Sequence, residues 1–194
     1  MSQANTSIAP HNDKSSLGFW IYLMTDCVLF ASLFATFAVL RNATAGGPTG
    51  AELFDLNYIL IETLILLASS FTVGMALLGF RVGSKRIALS MLVLTGLLGG
   101  TFLALEINEF QHLIHEGFTW QTSAFLSSFF TLVGTHGLHI AIGVLWLVYL
   151  AAAIYRHGLD SINKKRIVLF ALFWHFLDLI WVGIFSLVFL VPLA

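Results

Sequence analysis

The chain has 194 residues, of which 58% are hydrophobic and 10% charged, with a net charge of −1. A water-soluble domain of this length carries roughly 25% charged residues, so this composition excludes a soluble globular surface. A near-neutral charge argues against nucleic acid as a partner, and one cysteine, Cys27 inside an apolar run, excludes a disulfide framework or a cysteine-based metal site.

Residues 1–17 are polar and lack the apolar core of a signal peptide, so they read as a short cytoplasmic tail. Residues 18–194 read as one membrane domain. A span needs about 20 apolar residues, and the apolar runs are 18–40, 57–80, 87–109, 124–154 and 168–192. The expected fold is an all-α bundle of five transmembrane helices. Short connections between successive runs favour antiparallel neighbours.

Lys14, Arg81, Lys85, Arg86, Arg156, Lys164, Lys165 and Arg166 fall at alternate connections, and Arg41 alone falls on the other side. By the positive-inside rule the N-terminus is cytoplasmic and the C-terminus periplasmic. The connection after the third run carries Glu106, Glu109 and Glu116 with no Lys or Arg, in keeping with an outer position. The Gly46–Gly50 segment reads as an ordered turn. Gly96, Gly99 and Gly100 on the third run, and Gly134, Gly137 and Gly143 on the fourth, mark faces for close helix contact. Trp20, Trp120 and Tyr58 fall near the membrane interfaces.

Ionisable side chains inside a membrane are costly and point to function. Counting 1.5 Å per residue, Asp26 and His136 lie about 12 Å and His175 about 10 Å from the inner edge. Asp178 follows His175 on the same helix face. The expectation is a buried polar cluster in which Asp26 is a buried acid and His136, His139, His175 and Asp178 lock the last two helices to the first. Glu62, Glu106, Glu109 and His112 are expected to line an outer polar patch, with Glu62 about 8 Å deep and Glu106 and Glu109 at the outer mouth, where they need no partner if water reaches them.

A metal reading competes with the lock. Glu106, Glu109, His112 and His115 recur every three residues, and Glu109-Phe110-Gln111-His112 is a formal Glu-x-x-His. Carboxylate-bridged di-iron bundles use two such motifs and two further Glu, so the set here is incomplete. Spacing alone leaves bis-His haem ligation by His136 and His175 open.

Four strings in order carry a resemblance. Gly18-Phe19-Trp20-Ile21-Tyr22-Leu23-Met24-Thr25-Asp26, Glu106-Ile107-Asn108-Glu109, Gly134-Thr135-His136-Gly137-Leu138-His139 and Trp174-His175-Phe176-Leu177-Asp178 resemble subunit III of the haem-copper respiratory oxidases. Seven helices are usual in that family. The five-span length and the Thr44–Gly50 segment resemble its bacterial, ubiquinol-oxidising branch. An aa3-type oxidase using menaquinol or cytochrome c is the neighbouring alternative.

The resemblance implies a non-catalytic accessory subunit of an enzyme complex that oxidises quinol, reduces oxygen to water and moves protons across the bacterial inner membrane. It implies partners in subunits I, II and IV and bound phospholipid. It places haem and copper in subunit I and none in this chain. It also implies support of sustained proton uptake through the position of Asp26, where the family often has Glu. Two other classes are a free-standing membrane metalloenzyme, weakened by the incomplete ligand set, and a small carrier, weakened by the absence of an internal repeat.

Overall fold

The computed structural model describes residues 14–48 and 50–191; residues 1–13 of the expected tail, Thr49 of the Gly46–Gly50 turn and residues 192–194 lie outside them. The elements are α1 (Lys14–Leu40), a short α2 (Gly50–Leu53), α3 (Leu56–Arg81), α4 (Lys85–His115), α5 (Ala124–His157) and α6 (Ser161–Ile184). The last helix runs on without a break as a π-helical segment, Phe185–Leu190. Five of these helices are long and apolar enough to cross a membrane.

Helix ends differ from the apolar runs because helices continue with polar residues beyond the lipid. α1 begins at Lys14, and α4 continues to His115, so Glu109, His112 and His115 are helical residues rather than loop. Side-chain caps fix the starts. Asp55 accepts from Asn57 N, Ser123 from Leu126 N and Asp160 from Asn163 N, each satisfying an amide the helix leaves free. Asn163 also donates to Gly158 O at 2.9 Å, closing the three-residue turn into α6. Gly83, Gly117 and Gly158 sit in the interhelical turns with φ between 75° and 87°, a region that favours glycine. After α1, Ala45 and Gly46 have φ of 53° and 82°. Phe125 N donates to Ala43 O at 3.2 Å, tying that loop to the start of α5.

The packing order follows from glycines and large aromatics meeting at the same depth. α3 and α4 form the most extensive helix pair, α5 packs on α4 and α6, and α1 lies at the edge against α5 and α6. Trp174 and Trp181 on α6 are buried at the centre. Gly99 on α4 and Gly143 on α5 leave room for the Trp174 ring. Gly96 faces Leu147, but a Cβ at Gly100 would meet nothing within 4 Å, so Gly100 marks no contact.

Candidate functional site

The polar residues sort into three groups. On α1 and α5, Asp26 Oδ2 lies 3.7 Å from His139 Nε2. His139 Nδ1 is 2.7 Å from the Thr135 carbonyl. A carbonyl only accepts, so Nδ1 carries a hydrogen and Nε2 is the nitrogen turned to the acid. This orients the imidazole towards the acid, although at 3.7 Å the two are not hydrogen-bonded and Asp26 Oδ2 has no hydrogen-bond partner among the described residues. Phe30 packs on both His139 and His136 and covers the pair from within the bundle.

His136, one turn before His139, is fully buried. Its ring lies 5.2 Å from Trp181 and 5.9 Å from Phe102, centroid to centroid. Neither ring nitrogen has a hydrogen-bond partner.

His175 and Asp178 do not join this group. His175 Nδ1 is 2.5 Å from Ser70 Oγ on α3, and its side chain is exposed on the outside of the bundle. The depth count is compatible with the expected layer, yet the helix turns His175 towards α3. The single lock between α1, α5 and α6 is therefore replaced by an α1–α5 pair and a separate α3–α6 contact. Fastening of α6 to α3 falls instead to residues that ionisable-group counting passes over. Trp174 Nε1 donates to Ser69 Oγ at 2.9 Å, and Trp181 Nε1 to Thr63 Oγ1 at 3.0 Å. Thr72 and Thr95 hydroxyls meet at 2.7 Å between α3 and α4. The available signal was the run Thr63, Ser69, Ser70 and Thr72 within one apolar span, a hydrogen-bonding stripe of small residues.

The third group is acidic. Glu62 and Glu106 are buried, and their four carboxyl oxygens have no hydrogen-bond partner. The expected water-open patch holds only at its rim. Glu109 lines a cavity of about 250 Å³ with Asp55, Tyr58, Asn108 and His112. Tyr58 closes the helix pair below by donating to Leu105 O at 3.0 Å. Glu62 and Glu106 lie one turn deeper. The Glu106 carboxylate rests against Gly137 of α5. His112 pairs with Glu116 at 3.5 Å on the exposed surface, apart from the buried acids.

Among the described residues no three His, Cys, Asp or Glu are placed to hold a metal ion. His136, enclosed by Phe30, Phe102 and Trp181, and His175, bonded outward to Ser70, do not face one another as haem ligands would. His136 and His175 thus do not form a bis-His haem site.

Residues 7–191 match the protein family described as cytochrome c oxidase subunit III. The chain is 57% identical over 173 residues to cytochrome bo(3) ubiquinol oxidase subunit 3 of Pseudomonas aeruginosa, covering 89% of this chain and 83% of that one. It is 52% identical to the protein of that name from Pseudomonas putida, covering 90% and 84%. It is 47% identical to quinol oxidase subunit 3 of Bacillus subtilis, covering 92% and 87%.

Proposed function

The chain belongs to the cytochrome c oxidase subunit III family, and from this we propose that it is the accessory third subunit of a bo3-type ubiquinol oxidase in a bacterial inner membrane. The identity to two ubiquinol oxidase third subunits over nearly the whole chain carries this reading. The complex oxidises quinol, reduces oxygen and moves protons, with haem and copper in subunit I and further partners in subunits II and IV. This chain contributes packing surface, phospholipid contact and support of sustained turnover. The basic end of the bundle faces the cytoplasm. Asp26 with His139 is the proton-bearing pair. His175 joins α6 to α3 through Ser70 beside the Trp174 and Trp181 bonds, His136 packs among Phe30, Phe102 and Trp181, and Glu62, Glu106 and Glu109, with His112 at the rim, form the acidic group of the outer half.

A menaquinol-oxidising complex is the second reading, motivated by the Bacillus quinol oxidase relative. Affinity purification in mild detergent tests both. Haem and copper should accompany the tagged chain, vanish when partners are stripped, and support faster turnover with ubiquinol than with menaquinol. Metal or haem retained by the stripped chain would contradict the accessory role, and a preference for menaquinol would select the second reading.

A further inference from the structure

Lipid chains offer no hydrogen bonds, so a polar side chain exposed on a span must be satisfied by its own helix or by a neighbour. Most exposed hydroxyls here take the first course. Thr25, Ser32, Thr36, Thr101 and Thr131 each donate to a carbonyl three or four residues back on their own helix. His175 does not. Among the described residues it is the one acid, base or imidazole exposed in the middle third of a span. It stands about 14 Å along the helix from Arg166, at 1.5 Å per residue. Nδ1 is taken up by Ser70, and Nε2 has no hydrogen-bond partner among the described residues. Beside it, Asp178 is 7% exposed and both its carboxyl oxygens lack a hydrogen-bond partner.

The surroundings suit a helix. Gly74, one turn beyond Ser70, is exposed, and a Cβ there would meet nothing within 4 Å. Ser70 and Gly74 thus give one wall of the α3/α6 groove the small residues that allow close helix approach. Leu67 and Leu179 flank the polar floor and are exposed. A lipid headgroup belongs at the edge of a core about 30 Å thick, too far to reach this depth. A neighbouring transmembrane helix can bring a hydrogen-bonding side chain to the middle of the membrane.

We propose that the α3/α6 groove around Ser70, His175 and Asp178 seats a transmembrane helix of another oxidase subunit, which presents a hydrogen-bonding side chain to His175 Nε2. This rests on the accessory-subunit reading above.

The test uses the intact complex. Benzoylphenylalanine replaces Leu67 or Leu179 in the groove and, as controls, Leu97 or Leu145, which are exposed on α4 and α5. After illumination in membranes, the groove positions should convert this subunit to a heavier band containing a second oxidase subunit, while the controls yield lipid adducts. His175→Leu should lose that band at position 179, and His175→Gln, which keeps a donor and an acceptor, should retain it. Lipid-only adducts from the groove, adducts between two copies of this chain, or equal subunit adducts from the controls would overturn the proposal. If haem and copper copurify while the groove gives only lipid adducts, the groove alone is refuted. If they do not copurify, the accessory reading falls and the groove with it.

Discussion

The Glu106 carboxylate on α4 occupies the space that a side chain at Gly137 on α5 would fill: Oε1 and Oε2 lie 2.6 and 2.7 Å from the position of a Cβ there. Glu106 is buried, so the carboxylate has no solvent to retreat into. Gly137→Ala should destabilise the α4–α5 contact by about 1–3 kcal/mol, the usual cost of overpacking. Gly100→Ala on the same helix as Glu106 should be neutral, or stabilising by up to about 1 kcal/mol through helix propensity. The temperature at which this subunit is lost from the purified complex measures both. Equal values for the two variants would show that Glu106 swings aside freely.

Trp174 joins four helices. Its ring lies 2.8 Å from a Cβ built at Gly99 and 2.9 Å from one built at Gly143, and its indole N–H bonds Ser69. Gly99→Ala and Gly143→Ala should each cost about 1–3 kcal/mol. Trp174→Ala should cost about 3–5 kcal/mol as a large-to-small change in the core. The effects should not add. With the indole gone, the added methyl at position 99 has space, so the double variant should be less damaged than the sum of the singles. Strict additivity in chemical unfolding would mean the glycines serve some other contact.

The orientation proposed above rests on charge at the helix ends. α3 ends at Arg81, α4 begins Lys85-Arg86, α5 ends near Arg156, and α6 begins with Lys164 to Arg166, so all meet at one end of an antiparallel bundle. Lys85 also donates to the Tyr155 carbonyl at 2.9 Å, close to the C-terminus of α5, where a cation is favoured. In a Cys27→Ser background, Gln121→Cys should react with a membrane-impermeant maleimide in spheroplasts and Ser161→Cys should not. The opposite pattern would invert the topology.

The five spans were legible because a run of apolar residues has few other uses at this length. Their ends were not, since hydropathy stops reporting where a helix leaves the lipid. The caps Asp55, Ser123 and Asp160 carried that information instead. In the site, counting residues gives depth along each helix but not direction around it. That is why Asp26, His136 and His175 could be assigned to one layer while His175 faces α3. Direction depends on which helices are neighbours, and the α3 hydroxyls that settle the α3–α6 pairing are uncharged and drew no weight. Glu106 shows the same limit: its place at the end of an apolar run suggested water, but α4 continues about two and a half turns further to His115, and Glu106 is buried against α5.

Asp26→Asn separates proton-bearing from packing. The carboxyl faces His139 Nε2 at 3.7 Å, and the imidazole is held in place by Thr135. Asparagine keeps the size and hydrogen-bonding capacity of the side chain but cannot release or accept a proton there. The change should therefore leave assembly intact, with a stability effect on the order of 1 kcal/mol or less, the scale of one exchanged hydrogen bond. The initial rate of quinol oxidation should also be unchanged, because on the accessory-subunit reading proposed above the reacting centres belong to another subunit. What should change is endurance: activity should decay sooner during sustained turnover, as proton supply falls behind. His139→Gln should behave alike, since it removes the imidazole opposite the acid. Phe30→Leu, which alters only the apolar cover, should not. Identical decay curves for Asp26→Asn and the unaltered oxidase would leave Asp26 a packing residue and nothing more.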